Sequence, residues 1–325
     1  MPYPQLDRTR LRFEPLSKRK NKVYIDRDHI PVTARPRPFC EQANKVLEET
    51  IERLKQAREA GKPRMLVFGA HAIKNGLAPV LIKLIETGWI THLATNGAGI
   101  IHDWEFAYQG ASSEDVRTNV AQGQFGMWAE TGRYLNLALL VGAYEGLGYG
   151  ESVGKFVENE GLQMPSHEEL IEVITASLGS DPDKSAAACD LLSVLQKHPL
   201  ESATGGWLSV PHPYKRYGVQ AAAYRLRVPF TGHPMIGHDI HYMHPINHCA
   251  AIGRAAQRDF LVFARAVADL DGGVYISMGS AVMSPMIFEK SMSMAQNLAL
   301  QKGQPMQNHY MIVVDLQESH WDWAR

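Results

Sequence analysis

The chain has 325 residues, with 33 Lys and Arg against 34 Asp and Glu, a formal charge of −1 and 45% hydrophobic residues. This globular composition excludes a disordered, collagen-like or coiled-coil chain, and it gives no overall pull toward nucleic acid or anionic lipid. Cys40, Cys189 and Cys249 are too few and too scattered for a disulfide framework or a cysteine zinc site; the start MPYPQLDRTR lacks an apolar leader region and no run approaches membrane-span length, so a cytoplasmic protein is expected.

Residues 1–40 read as a basic arm, with ten Lys and Arg against four acids and prolines at 2, 4, 15, 31, 36 and 38. Proline at this density suits an extended segment. The arm either lies across an acidic neighbouring subunit or binds a phosphate-rich partner. Weak aromatic interleaving speaks against nucleic acid. From Glu41 to Ala60, the spacing of Val46, Leu47, Ile51 and Leu54 predicts a helix. Met65–Phe68 follows as a buried strand ending at Gly69. Leu77, Val80, Leu81, Leu84 and Ile85 then recur with helical period, with Asn75 as N-cap and Gly88 as the stop. The segment THLATNGAG, residues 91–99, reads as a second strand running into a glycine turn. Strand, helix and strand in succession make a βαβ unit and a parallel sheet.

Residues 122–132 mix glycine with aromatics and read either as a loop packed near a site or as a helix start with buried aromatics. Residues 152–205 are acidic and helix-forming, and read as a helical insertion. Tyr224–Thr231 is a strand candidate. Phe260, Phe263, Ala264 and Val267 mark a helix face, Val274–Met278 a strand, Ile287–Leu300 a helix, and HYMIVVDL a last strand. The chain ends at WDWAR, where a doubly wound pattern predicts a covering helix. Residues 41–325 are thus expected to form one doubly wound, Rossmann-like α/β domain with a parallel sheet and a helical insertion at 152–205.

Four segments carry candidate chemistry. In open α/β sheets, ligands bind outside the carboxyl ends of the strands. Gly69, Ala70, His71 and Asn75 follow the first strand. Thr95, Asn96, Gly97 and Gly99, then His102 and Asp103, follow the second. Gly279, Ser280 and Ser284 follow the VYISM strand. Each loop reads as a nucleotide contact or as a plain turn; two of them on one sheet edge favour a ligand. The fourth segment, GHPMIGHDIHYMHPINH, holds His233, His238, His241, His244 and His248 with Asp239. These are metal-ligand side chains, yet no H-E-x-x-H or H-x-H spacing appears, and Pro245 breaks a continuous helix. Asp239 with His238 or His241 would make an acid/base pair, with His102 and Asp103 as the second choice.

The segments FGAHAIKNGLAP, ATNGAGIIHD, VPFTGHPMIGHD and ISMGSAVMSP, with the helical stretch 152–205 between the second and third, occur in the order found in deoxyhypusine synthases. The chain resembles that family from about residue 40 to the end. The resemblance implies a three-layer NAD-binding fold and a homotetramer with sites at subunit interfaces. It implies NAD contacts in Ala70–Asn75, at Thr95, at Gly97–Gly99, near Asp103 and at Gly279–Ala281. It aligns Asp239 with the family's amine-holding aspartate and Ser284 with an active-site histidine. The family's imine-forming lysine lies in a Trp-Gly-Lys segment, where this chain has HWDWAR; beyond residue 250 the only lysines are Lys290 and Lys302. The expectation is a divergent, NAD-dependent relative acting on a small polar substrate, an amine or amino acid, without Schiff-base chemistry. The alternatives are a metal-dependent hydrolase or lyase built on the histidines, and a non-catalytic nucleotide-binding protein.

Overall fold

The computed structural model describes residues 3–199 and 205–316. Its centre is a five-stranded, wholly parallel sheet of β1 (Arg64–Phe68), β2 (His92–Asn96), β3 (Phe230–His233), β4 (Val274–Met278) and β5 (Tyr310–Val314). The spatial order is β3-β2-β1-β4-β5. This is the doubly wound order expected of a Rossmann-like domain, and it reverses between β1 and β4.

The main helices are α1 (Glu41–Glu59), α2 (Ala70–Lys74), α3 (Ala78–Glu86), α4 (Gly97–Gln109), α5 (Ala129–Glu145), α6 (Tyr149–Asn159), α7 (His167–Ser177), α8 (Pro182–Lys197), α9 (Val219–Leu226), α10 (Cys249–Ala268) and α11 (Met283–Gln301). All five β1 residues are buried. Successive side chains alternate faces. Met65 and Val67 therefore join Phe263, Val267, Met283 and Phe288 under α10 and α11, whereas Leu66 and Phe68 join Leu81, Ile85, Leu93 and Ile100 on the opposite face. Two apolar layers around one strand explain why β1 reads as a continuous apolar run. Among the described residues no helix is long and apolar enough to cross a membrane.

Several expectations are corrected. Tyr224–Leu226 closes α9 instead of opening a strand. The preceding alanines at 221–223 carry the helix through to Leu226, Arg227 ends it in the left-handed region at φ +55°, and β3 begins only at Phe230. Asn75 ends the short α2 rather than capping α3, whose first turn contains Pro79 and has no side-chain cap. Gly97 and Gly99 lie inside the first turn of α4 instead of in a turn of their own. In α1 the expected positions Val46 and Ile51 are exposed, while Thr50 and Ala57 are buried.

The basic arm packs on its own chain. Arg8 donates to the Tyr242 carbonyl and to Asn247 Oδ1, Leu16 and Ile25 are buried, and Val23–Tyr24 pairs antiparallel with Ala111–Ser112. Within residues 152–205 lie most of α6, which packs into the main core, then α7 and α8, and a short antiparallel ribbon pairs Gly161–Gln163 with Trp207–Ser209. Glu201 of its acidic series and the terminal HWDWAR lie outside the described residues.

Candidate functional site

The carboxyl ends of β1 and β4 meet at the point where the strand order reverses. The Gly69 N–H donates to the Met278 carbonyl at 3.0 Å, and a Cβ on Gly69 would fall 2.0 Å from the Gly279 carbonyl oxygen. Gly279 itself holds φ +56° with open space where its Cβ would be. Two backbones thus touch at the strand ends, and the space beside Gly279 is an open mouth. His71 and Asn75 are exposed on the same edge. The hydroxyls beyond Gly279 turn inward: Ser280 Oγ accepts from the Ser284 N–H at 3.1 Å and so caps α11, and Ser284 Oγ lies 2.9 Å from the Tyr275 hydroxyl.

At the neighbouring strand end, Thr95 and Asn96 also serve the fold. Thr95 donates to the Phe68 carbonyl at 2.8 Å, and Asn96 caps α4 by accepting from the Gly99 N–H. The α4 glycines are contact points. A Cβ at Gly99 would strike Thr95 Oγ1 at 2.2 Å, and one at Gly97 would strike Asp239 Oδ2 at 2.2 Å. Asp239 therefore rests on the first turn of α4, at the positive end of the helix dipole.

Beside this contact lies a cavity of about 190 Å³, walled by Arg19, Lys74, His102, Glu114, Phe125 and Asp239 among others. Asp239 is 8% exposed, and its Oδ2 is buried without a hydrogen-bond partner. Burial pushes its carboxyl up to about 7, against the opposing effect of the Met235 backbone N–H. An uncompensated buried carboxyl calls for a cation or a proton. Lys74 supplies the opposite sign: it lines the cavity and has no carboxylate partner among the described residues. Glu114 is fully engaged, accepting from the Gly126 N–H and from Trp128 Nε1 at 2.9 Å, and this holds the turn that brings Phe125 to the wall.

The floor is a buried polar chain. Arg19 forks onto Glu105 through two hydrogen bonds of 2.7 Å, and Thr131 adds a third at 3.0 Å. Burial disfavours ionised Glu105, but Arg19 outweighs it and holds the carboxyl below its ordinary value. Ser112 Oγ donates to Glu105, and His102 Nδ1 lies 2.7 Å from Ser112 Oγ. Burial lowers His102 to about 4, so the ring is neutral at pH 7.

Other expected residues fall elsewhere. Asp103 accepts from the Val219 and Gln220 backbone N–H groups at 2.9 and 3.0 Å and caps α9. The anticipated pairing of Asp239 with a histidine is not formed. His238 is exposed at the cavity rim, and His241 is fully buried with Nε2 3.4 Å from the Tyr149 hydroxyl. His233 bonds Thr231, His244 packs on Phe13, and His248 approaches Asp190. Among the described residues no three His, Cys, Asp or Glu side chains converge as a metal site. The residues missed from the sequence are Arg19, Glu105, Ser112 and Glu114. One signal was available: His102 and Glu105 stand three apart, on one face of a helix once 97–109 is read as helical.

No family model matches the chain, and no curated protein matches it. Among solved structures, the chain is similar to AgrE (a C264A mutant bound to L-arginine) at 15% identity and TM-score 0.42, covering 86% of this chain and 32% of that one. It thus spans about a third of the length of that protein. It is also similar to a conserved candidate LOR/SDH protein from Methanococcus maripaludis S2, at 13% identity and TM-score 0.38, with 88% and 68% covered. A candidate deoxyhypusine synthase from Entamoeba histolytica matches at 10% identity and TM-score 0.26, with 71% and 74% covered. All three TM-scores lie below 0.5, and the fold assignment rests on the strand order and register of this chain.

Proposed function

We propose that the chain is an NAD-binding enzyme that acts on a small amino acid or related amine in the Asp239 cavity, without lysine Schiff-base chemistry. The observation that carries this reading is the open space beside Gly279 at the β1/β4 reversal, together with a cavity on the same chain whose Asp239 oxygen has no partner. Gly69, Ala70 and Gly279–Ala281 would hold the dinucleotide where doubly wound sheets bind such ligands. Bound NAD supplies a hydride acceptor. The chain's own residues supply the rest: Asp239 takes the substrate ammonium, Lys74 its carboxylate, and Phe125 limits access of water. Self-association into a homotetramer belongs to the same reading and is supported by the family resemblance.

Titration calorimetry tests it. The purified chain should bind NAD, and Gly279→Ala, which puts a methyl group into the mouth, should weaken that binding at least tenfold without changing the circular dichroism. A panel of amino acids and amines should then show binding that depends on Asp239. Absence of NAD binding overturns the cofactor assignment. NAD binding without turnover of any panel member favours a nucleotide-binding protein that is not an enzyme. Light scattering after size exclusion reads the oligomeric state.

A further inference from the structure

We propose that His102 is the proton acceptor of the cavity and that Ser112, Glu105 and Arg19 are positioning residues that fix its tautomer, leaving the Nε2 lone pair for the substrate. This rests on the reading of the cavity as a substrate site, and it assigns the direction in which a proton moves there.

The assignment follows from donor and acceptor logic. Glu105 is bound by both Arg19 nitrogens, so it is ionised and can only accept. Ser112 therefore spends its one hydroxyl proton on Glu105. Its oxygen, 2.7 Å from His102 Nδ1, is then left as an acceptor, and Nδ1 must carry the hydrogen. Nε2 is deprotonated and has no hydrogen-bond partner among the described residues, while the ring lines the cavity. When a bound ligand gives up an N–H or O–H proton, Nε2 takes it and the ligand keeps the bonding pair. The imidazolium that forms donates through Nδ1 to Ser112 and is compensated by the Glu105 carboxylate behind it. The proton later leaves to solvent through the cavity mouth. Carboxylate, hydroxyl and imidazole thus play the part that a carboxylate alone plays in hydrolase triads. The charged groups facing the ring are Glu105, Lys74, Arg19 and His71.

The test reads the tautomer without needing a substrate. Long-range proton–nitrogen NMR of histidine-labelled protein at pH 7, with His102 assigned by the His102→Gln variant, should show the Nδ1–H form in about tenfold excess or more. Ser112→Ala should shift the ring to the Nε2–H form, and Ser112→Thr, which keeps the hydroxyl, should not. A wild-type ring in the Nε2–H form overturns the proposal, as does a tautomer that Ser112→Ala leaves unchanged. Should Ser112→Ala fail to fold, the wild-type tautomer and Ser112→Thr decide. NAD titration on the same samples separates the two assignments: failed NAD binding removes the cofactor reading and leaves the tautomer result standing, whereas the wrong tautomer with NAD bound removes only this proposal.

Discussion

Gly69 and Gly279 meet backbone to backbone, with the place of a Gly69 Cβ only 2.0 Å from the Gly279 carbonyl oxygen. Neither strand end can move aside, because β1 and β4 are paired along their whole length, from Arg64 with Val274 to Phe68 with Met278. Gly69→Ala should therefore cost about 1–3 kcal/mol, the usual penalty for overpacking. Gly279→Ala meets no neighbour and should cost about 1–2 kcal/mol from its left-handed backbone alone. Urea unfolding of the two variants checks this. A Gly69→Ala protein of full stability contradicts the contact.

Asp239→Asn should separate stability from binding. The raised carboxyl is protonated in both the folded and unfolded states below about pH 3.8, so the variant and parent should have equal Tm there. Above pH 7 the parent must ionise a buried, unpartnered group, and the variant need not. The variant should therefore melt higher at pH 8 while losing affinity for cationic ligands. Melting curves at about pH 3 and pH 8 decide it; a lower Tm for the variant at pH 8 removes the uncompensated charge.

Arg19→Ala should destabilise the protein by about 3–5 kcal/mol, because it strands Glu105 as a buried charge. The double variant Arg19→Met with Glu105→Leu should recover much of that loss by removing both charges together. Chemical denaturation of the parent, Arg19→Met, Glu105→Leu and the double variant forms a double-mutant cycle. Additive losses would show that the pair does not act as a unit.

Stability should rise from acid pH and level off near about pH 7.5. Burial lowers His92 to about 3 and His102, His212, His233, His241 and His244 to about 4, so the unfolded chain takes up protons below pH 6.5 that the folded chain refuses. Stability is lost as pH falls through that window. Asp103, raised to about 6, and Asp239 and Asp259, raised to about 7, act in the opposite sense and lose stability as pH rises from 3.8. Six histidines outweigh three carboxyls up to about pH 7.5, where the two opposing proton uptakes balance, because histidine in the unfolded chain is still half protonated at about pH 6.5. Differential scanning fluorimetry should show Tm rising steeply from about pH 4.5 to 6.5 and levelling off by about pH 7.5. A flat profile removes the buried neutral histidines.

The periodic parts of the fold were legible. Val274–Met278 is a strand with the predicted ends, α1 forms where a helix is predicted, and α3 follows its apolar spacing. The strand order was not, because pairing β1 with both β2 and β4 joins segments far apart in sequence. Gly97 and Gly99 misled for a physical reason. Glycine inside a helix signals a turn by propensity, yet here it makes room for Asp239 and Thr95. Asp239 was legible as a site residue, but its histidine partners were not, since proximity along the chain does not set side-chain direction. Arg19 and Glu105 stayed hidden because their pairing joins the arm to the core across 86 positions.

The same pairing sets a timetable for the nascent chain. Arg8 and Arg19 leave the ribosome before their partners, so Arg19 must wait for Glu105, and Arg8 for Tyr242 and Asn247. Contacts of such long range close late, after the intervening chain has collapsed. During synthesis the arm stays undocked with its cations in water, and the cavity floor is completed only when Arg19 arrives. The arm is thus made before its partners yet settles after they have assembled, at the step that finishes the site.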